Sequence, residues 1–314
     1  MDKKKLWDLI IIGAGPSALT AAIYAAREDM STLLIEKGVI GGLMATIDKI
    51  DNYPGFPDGI EGLNLAMDFQ AQAERFGAKI EFAEVTNVLR TDGNFLIKTD
   101  TGEFHARAVL VSTGNDYRKI GIPGEEQAHY CATCDGAYYR GKKLAVIGGA
   151  NAAIQEAMFL TKFATHIDLV VRSWVKASEV LQRELKEYIK QGTIDLHEGT
   201  TPDEIVIKDG QTVGLATHQT DKPEDKKTLD VDGVFVFAGV IPNAKFLTDS
   251  GVEFDNVGHI MTNNELMTAV PGLFASGDVR SGATKQVASA VGEGTTAALN
   301  IREYLSNLDK KNGA

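Results

Sequence analysis

Two cysteines, eight prolines and two tryptophans are all that the 314 residues hold of those types. Two cysteines, Cys131 and Cys134, are too few for a secreted disulfide scaffold and too few for an all-cysteine structural zinc site. An excess of positive charge is also missing, with 32 Lys and Arg against 43 Asp and Glu for a net charge of -11. Nonspecific nucleic-acid binding depends on cations that neutralise phosphates, so nucleic acid is excluded as an expected partner. No low-complexity segment, heptad run or short repeat interrupts the chain. No apolar run reaches the roughly 20 residues that a membrane span needs. The basic start Met1 to Lys5 followed by the apolar stretch Leu6 to Ala26 imitates a signal peptide, but Asp8, Gly13, Gly15 and Pro16 break it. The expectation is a cytoplasmic protein with no membrane partner, fraying only at its tail from Asp309 to Ala314.

What is present is an ordinary globular composition, 44% hydrophobic and 24% charged, at a length that suits two domains. Thirty-two glycines against eight prolines point to ligand contacts made by backbone. Two segments share one grammar of apolar strand, Gly-rich turn, Ala-rich helix and second apolar strand. The first runs Leu9 to Ile12, through Gly13-Ala14-Gly15-Pro16-Ser17-Ala18 and a helix to about Glu28, then Thr32 to Glu36. The second runs Leu144 to Ile147, through Gly148-Gly149-Ala150-Asn151-Ala152-Ala153 and a helix to about Ala164, then Ile167 to Arg172. Buried parallel strands read as continuous apolar runs, and crossover helices need small residues where they pack on strands, so two nucleotide-binding folds are expected. Strand-like segments Lys79 to Ala83, Phe95 to Thr99 and Glu103 to Ala106 follow the first copy and lead to the run Ala108 to Val111. Similar runs at Gly233 to Gly239 and Gly272 to Asp278 suggest that the first domain is completed after the second ends.

Gly13, Gly15 and Ala18 fit the dinucleotide fingerprint. The first glycine allows the tight turn, the second lets a pyrophosphate approach, and the small third residue lets helix and strand pack. Glu36 stands 23 residues after Gly13 at the end of the next strand, where a carboxylate accepts ribose hydroxyls. In the second copy Gly148 and Ala153 keep the outer positions, but Ala150 replaces the central glycine. The same count of 23 reaches Val171, which offers neither a carboxylate nor a cation. Arg172, Ser173, Trp174, Val175 and Lys176 follow, either as a phosphate grip with a stacking ring or as a solvated strand end. Cys131-Ala132-Thr133-Cys134-Asp135-Gly136 sets two thiols at a turn into a helix, whose N-terminus lowers a thiol pKa, with Asp135 beside them as a proton donor or acceptor. On the residues alone, a redox dithiol, half of a metal site and two inert buried cysteines all stay open.

Taken together, these motifs resemble the low-molecular-weight thioredoxin reductases, a flavoprotein family, over essentially the whole chain. The matching stretches also include Gly41-Gly42, Asn52 to Phe56, Ser112-Thr113-Gly114, Gly239 to Asn243, Gly277-Asp278-Val279 and Lys285-Gln286-Val287. The resemblance implies an α/β fold of two Rossmann-like, three-layer nucleotide-binding domains, one inserted into the other. The FAD domain would be residues 1–116 with 245–314, and residues 117–244 would form a degenerate NAD(P)H-like domain carrying the dithiol. FAD would be bound by Gly13, Gly15, Pro16, Ser17, Ala18, Glu36, Gly41, Gly42, Asn52, Thr113, Gly114, Gly277, Asp278, Lys285, Gln286 and Val287. Among these, the resemblance places Asp278 on the ribityl chain and Gln286, Val287 and Asn52 near the isoalloxazine ring. It makes Cys134 the flavin-proximal sulfur, Cys131 the attacker of a thioredoxin disulfide, and Asp135 the acid. It further implies a homodimer, no metal, and two domains that rotate about linkers near Asn115 to Ile120 and Gly239 to Ala244.

The departures bear on the electron donor. Where the family has an intact second fingerprint and a His-Arg-Arg cluster, this chain has Ala150 and then Val171, Arg172, Ser173 and Lys176; Leu43 also replaces the Gln usual after the double glycine. Each lost charge-assisted hydrogen bond to a 2′-phosphate is worth roughly 1.5–3 kcal/mol, so NADPH binding is expected to be weak. Relatives lacking the nicotinamide motifs take electrons from reduced ferredoxin, which makes ferredoxin the candidate donor. Ferredoxins are acidic, so a chain at -11 needs a local basic patch to attract one; Arg140, Lys142 and Lys143 are close in sequence. Two alternatives stand beside this reading. One is an ordinary reductase using NADPH or NADH weakly through Arg172 and Lys176, and the other is a flavin-binding redox sensor that does not turn over.

Overall fold

A computed structural model describes residues 5–91 and 93–312. The chain divides into two compact units, residues 1–116 with 241–314 and residues 117–240. The first unit opens with β1 (Leu6–Ile12), α1 (Pro16–Arg27), β2 (Thr32–Glu36), α2 (Gly62–Arg75) and β3 (Lys79–Phe82). It continues through β4 (Val85–Thr91), β5 (Asn94–Thr99) and β6 (Gly102–Val111), and the chain then leaves through β7 (Asn115–Tyr117). The second unit contains α3 (Ala132–Asp135), β8 (Lys143–Ile147), α4 (Asn151–Leu160), β9 (His166–Val171), α5 (Glu179–Lys190) and β10 (Ile194–Glu198). Its remaining strands are β11 (Thr200–Lys208), β12 (Gln211–Gln219), β13 (Lys222–Leu229) and β14 (Gly233–Val236). The chain returns through β15 (Val240–Pro242), which pairs with β7, and finishes the first unit with β16 (Leu273–Ala275) and α6 (Val287–Asn312).

In the first unit, β3, β2, β1 and β6 lie side by side in parallel. The far edge of β6 is shared, antiparallel with β5 along Gly102 to Ala106 and parallel with β16 along Val109 to Val111. What reads as two strand-like pieces, Glu103 to Ala106 and Ala108 to Val111, is therefore one ten-residue strand that joins the parallel sheet to the β4-β5 hairpin. Alternation sorts the continuous apolar runs onto two faces. Leu9, Ile11, Leu34, Leu110 and Phe274 meet the alanines of α1 and the small face of α6, whereas Ile10, Ile12, Ile35, Val109 and Val111 meet Phe95, Ile97 and Phe104. Gly294 of α6 lies so close to α1 that a Cβ there would fall 2.2 Å from the Ser17 carbonyl oxygen. Of the tail expected to fray, Asp309 to Asn312 instead complete α6, with Asp309 bound by Arg107; residues 313 and 314 lie outside the described residues.

The second unit repeats the parallel plan in a four-stranded sheet ordered β10-β9-β8-β14. One face, with Leu144, Val146, Ile167, Leu169 and Phe235, packs on α4 and α5. The other, with Ala145, Ile147, Val170, Val234 and Val236, is covered from the antiparallel sheet β11-β12-β13 by Ile205, Leu215 and Leu229. The α4 helix ends at Leu160, short of the expected Ala164, because the N–H groups of Phe163 and Ala164 both turn back onto the Leu160 carbonyl, each at 2.9 Å. Among the described residues no helix is long and apolar enough to cross a membrane.

Candidate active site

The first unit gathers its candidate residues at the carboxyl ends of β1, β2, β6 and β16, where ligands bind in open parallel sheets. Gly13 has φ +105°, and a Cβ there would lie 2.5 Å from the Ser112 carbonyl oxygen, so both conformation and space demand glycine. Gly15 differs. It is the N-cap of α1 in an extended conformation any residue adopts (φ -76°), no side chain caps the helix, and a Cβ would meet nothing within 4 Å. Its missing side chain leaves open the free N–H groups at the start of α1, next to Pro16 and Ser17, which is the geometry that receives a phosphate. Glu36 is held at the lip of this turn, its two carboxylate oxygens accepting the N–H of Ala14 and of Gly38, each at 2.7 Å. Gly41 returns to the same turn by donating to the Ala14 carbonyl at 2.8 Å, and Gly42 stacks close enough that its Cβ would stand 3.8 Å from the Gly15 Cα.

The later segments converge on the same end. The Ser17 and Ser112 hydroxyls, at 2.6 and 2.8 Å, both meet that of the fully buried Ser276, a link that no spacing in the chain signals. Gly277 donates its N–H to Glu293 of α6 at 2.8 Å, and Glu293 is also bound by Arg280. Burial lifts the Asp278 carboxyl to about 6, against the pull of Lys285 and with the push of Glu293. Lys285 adopts φ +59°, Asn52 donates its amide to Gln286 at 3.1 Å, and Val287 opens α6 and packs on the cluster of Met44, Ile50 and Leu65. The Thr113 hydroxyl donates to the Asn243 carbonyl at 2.6 Å beside Gly114 (φ +63°). An uncapped helix start, an open space at Gly15, a fixed carboxylate at Glu36 and the raised carboxyl of Asp278 are features that would suit the phosphates and hydroxyls of a dinucleotide.

In the second unit Cys131 and Cys134 are joined in a disulfide with a Cα–Cα distance of 5.3 Å. Cys131 caps the one-turn helix α3, and its sulfur accepts the N–H of Cys134 at 3.1 Å. Both cysteines are half-buried, so the pair is not an inert core element. Gly136 follows because a Cβ there would lie 2.8 Å from a methyl of Leu160, letting α3 sit down on α4. Asp135 does not stand alone. Its carboxylate is 3.0 Å from Nδ1 of His129, whose Nε2 is 2.6 Å from the Tyr139 hydroxyl. No motif signals His129 and Tyr139, since neither lies in the Cys-to-Gly box.

The second fingerprint keeps its backbone. Ala150 caps α4 with φ -90° and ψ 176°, matching Gly15 at -76° and -177°, so the turn is preserved with a methyl where the first copy has none. Val171 packs beneath the turn, 2.6 Å from where a Gly149 Cβ would be. After it, the Glu198 carboxylate accepts the Val175 N–H at 2.7 Å, placing an anion at the loop where a 2′-phosphate would need cations. Trp174 is 64% exposed, with the Lys176 ammonium 5.2 Å from its ring centre. The basic residues Arg140, Lys142 and Lys143, at the opposite end of β8 from this turn, are engaged: Lys142 with Asp232 at 3.3 Å, Lys143 with Asp230 at 2.9 Å, and Arg140 over the Phe163 ring. A further cluster on the second sheet, His166, Asp168 and Asp195, comes from alternate positions of neighbouring parallel strands, with Asp168 held by His197 at 2.6 Å.

Comparison with known proteins gives a consistent picture. Residues 7–294 match the family model for pyridine nucleotide-disulphide oxidoreductases. The chain is 36% identical over 316 residues to the thioredoxin reductase of Bacillus subtilis, covering 99% of this chain and 98% of that protein. It is also 36% identical to the thioredoxin reductase of Listeria monocytogenes, with 98% and 96% covered. Among solved structures, the thioredoxin reductase of Streptococcus pyogenes superposes with a TM-score of 0.90 at 33% identity, covering 96% of this chain and 99% of that one.

Proposed function

The chain belongs to the pyridine nucleotide-disulphide oxidoreductase family, among the thioredoxin reductases, and from that premise we propose how its own residues divide the work. It is a flavoprotein disulfide reductase acting on thioredoxin, drawing its electrons from a donor other than tightly bound NADPH, with reduced ferredoxin as the candidate. The observation that carries the second half is the state of the second fingerprint: Ala150 over the helix start, Val171 beneath the turn and the Glu198 carboxylate at the loop. FAD, when bound, supplies the electron pair that opens the disulfide.

The first unit's residues bind and orient that cofactor. The N-terminal amides of α1 receive the pyrophosphate, Glu36 the adenosine ribose, Asp278 the ribityl chain, and Asn52, Gln286 and Val287 the ring edge. Gly41, Gly42, Gly114 and Gly277 shape the cradle through backbone, with Thr113 and Lys285 beside them. In the second unit, Cys134 takes the flavin-side role and Cys131 attacks the partner disulfide, with Asp135 moving the proton. The short strands β7 and β15 serve as the hinges. The same reading makes the molecule a cytoplasmic homodimer, checked by sedimentation. Because Lys142 and Lys143 are matched by Asp232 and Asp230, a ferredoxin-docking surface has to draw on other cations.

An anaerobic titration with NADPH, NADH and chemically reduced ferredoxin, following the oxidised-flavin absorbance, tests the donor. Bleaching by ferredoxin at stoichiometric amounts with a sluggish response to both nucleotides is expected. Fast, stoichiometric bleaching by NADPH would reject this reading in favour of an ordinary NADPH-dependent reductase, and no bleaching by any of the three would favour a flavin-binding sensor.

A further inference from the structure

Thiol–disulfide exchange needs a proton taken from one sulfur and given to another. A carboxylate that relays such a proton needs a partner from which it is resupplied. The surroundings of Asp135 supply what the carboxylate lacks. The backbone of His129 is pinned to β14, its N–H donating to the Val234 carbonyl at 2.9 Å and its carbonyl accepting from Val236 at 2.8 Å. Its ring stacks on Phe235 at 5.0 Å between centroids. One ring nitrogen faces Asp135 at 3.0 Å and the other faces the Tyr139 hydroxyl at 2.6 Å. The seat of Tyr139 is itself built, because a Cβ on Gly233 would fall 2.4 Å from the tyrosine ring.

We propose that His129 is the positioning and proton-storing residue for Asp135, so that the Asp135–His129 pair, steadied by Tyr139, exchanges a proton with the redox sulfurs near neutral pH. The inference rests on the reading of Asp135 as the proton carrier of the dithiol. In the exchange, the Cys131 thiolate attacks the thioredoxin disulfide, forming a mixed disulfide and expelling the first thioredoxin thiolate. Asp135, resupplied from Nδ1 of the imidazolium, protonates that thiolate. The Cys134 thiol then loses its proton to the pair as its sulfur attacks Cys131, which releases the second thioredoxin thiolate. Two electrons pass from the dithiol to thioredoxin, and the pair ends the cycle ready to give up the proton it has taken.

An imidazole can carry a proton on one ring nitrogen or on both, so beside a carboxylate it can hold a proton and hand it on. Tyr139 suits the second ring nitrogen because burial, and then the charges of Asp135 and Asp232, raise its phenol, which stays protonated. A phenol can donate to a neutral ring or accept from an imidazolium, so His129 changes charge without losing a partner. Among the described residues, the charged or titratable groups turned to this ring are Asp135 from α3 and Tyr139 from the 3-10 turn Gly136–Tyr139. β14 presents the uncharged Phe235, and Asp232, just before it, is bound by Lys142.

The test is single-turnover oxidation of the pre-reduced, flavin-loaded enzyme by thioredoxin disulfide between pH 5 and 9, for the wild type, His129→Gln, Tyr139→Phe and Asp135→Asn. A wild-type rate that depends on pH through a single limb is expected. His129→Gln, which keeps a hydrogen bond but stores no proton, should lower the rate at pH 7 by about ten- to a hundredfold and move the limb to lower pH, with the KM for thioredoxin unchanged. Tyr139→Phe should move the limb down by a smaller amount and serves as the reading if His129→Gln does not fold. Superimposable pH profiles for the wild type and the folded variants, with Asp135→Asn inactive, would overturn the relay alone. Full activity in Asp135→Asn would overturn the assignment of Asp135 on which it stands.

Discussion

Replacing Asp278 by asparagine should make the flavin-free protein more stable, by an amount that depends on pH in a defined way. The carboxyl, on the loop after β16, is held up to about 6 from an ordinary value of 3.8, chiefly by burial. A folded-state pKa above the unfolded one means that ionisation opposes folding. The wild type therefore has its full stability below about pH 4 and loses it as pH rises to and past 6. A shift of this size corresponds to about 3 kcal/mol once the group is fully charged in both states. The amide of the Asp278→Asn variant carries no charge at any pH, so the stability gap between variant and wild type should grow from its value at pH 4 by up to about 3 kcal/mol at pH 8. Urea unfolding of the stripped protein at pH 4, 6 and 8 measures it, with the gap at pH 4 as internal reference because it contains every pH-independent effect of the amide. A gap of constant size across the three would refute the account of Asp278 as a carboxyl whose burial raises its pKa.

The two fingerprint glycines should separate cleanly. Gly13→Ala, at φ +105° and 2.5 Å from a carbonyl, should cost about 2 kcal/mol or more and lose flavin with the fold, measured by thermal melting and flavin content. Gly15→Ala, with nothing within 4 Å, should melt within about 0.5 kcal/mol of wild type and still bind FAD far more weakly by equilibrium dialysis; equal losses in both variants would contradict the distinction. In Cys134→Ser, thioredoxin reduction should vanish while the bound-flavin spectrum persists, and residual turnover above a few per cent would sink the dithiol route. Combining Ala150→Gly with Glu198→Gln reopens the second helix start and removes the anion at its loop, and should raise the rate of flavin bleaching by NADPH about tenfold in stopped-flow. An unchanged rate would place the block elsewhere.

Local features of the chain were enough for the repeated strand-turn-helix units, because a buried parallel strand is a continuous apolar run and a crossover helix shows its small residues in one row. The Gly13-to-Ala18 turn, the place of Glu36 at the end of β2 and the closeness of Cys131 to Cys134 were legible for the same reason: each is set within one or two adjacent elements. The fate of Ala150 was half legible. Its identity showed a lost glycine, but only the shared φ and ψ with Gly15 showed that the turn survives. Tertiary structure decided what depends on distant segments meeting. Ser17, Ser112 and Ser276 join across 259 positions, and Glu293 reaches back from α6 to Gly277. The charge state of Asp278 follows from how deeply the loop is covered, which no local pattern encodes. His129 could not be picked out among six histidines, since its role comes from β14 bringing Phe235 and Gly233 alongside it, and a hydrogen bond is specified by geometry that spacing in the chain does not carry.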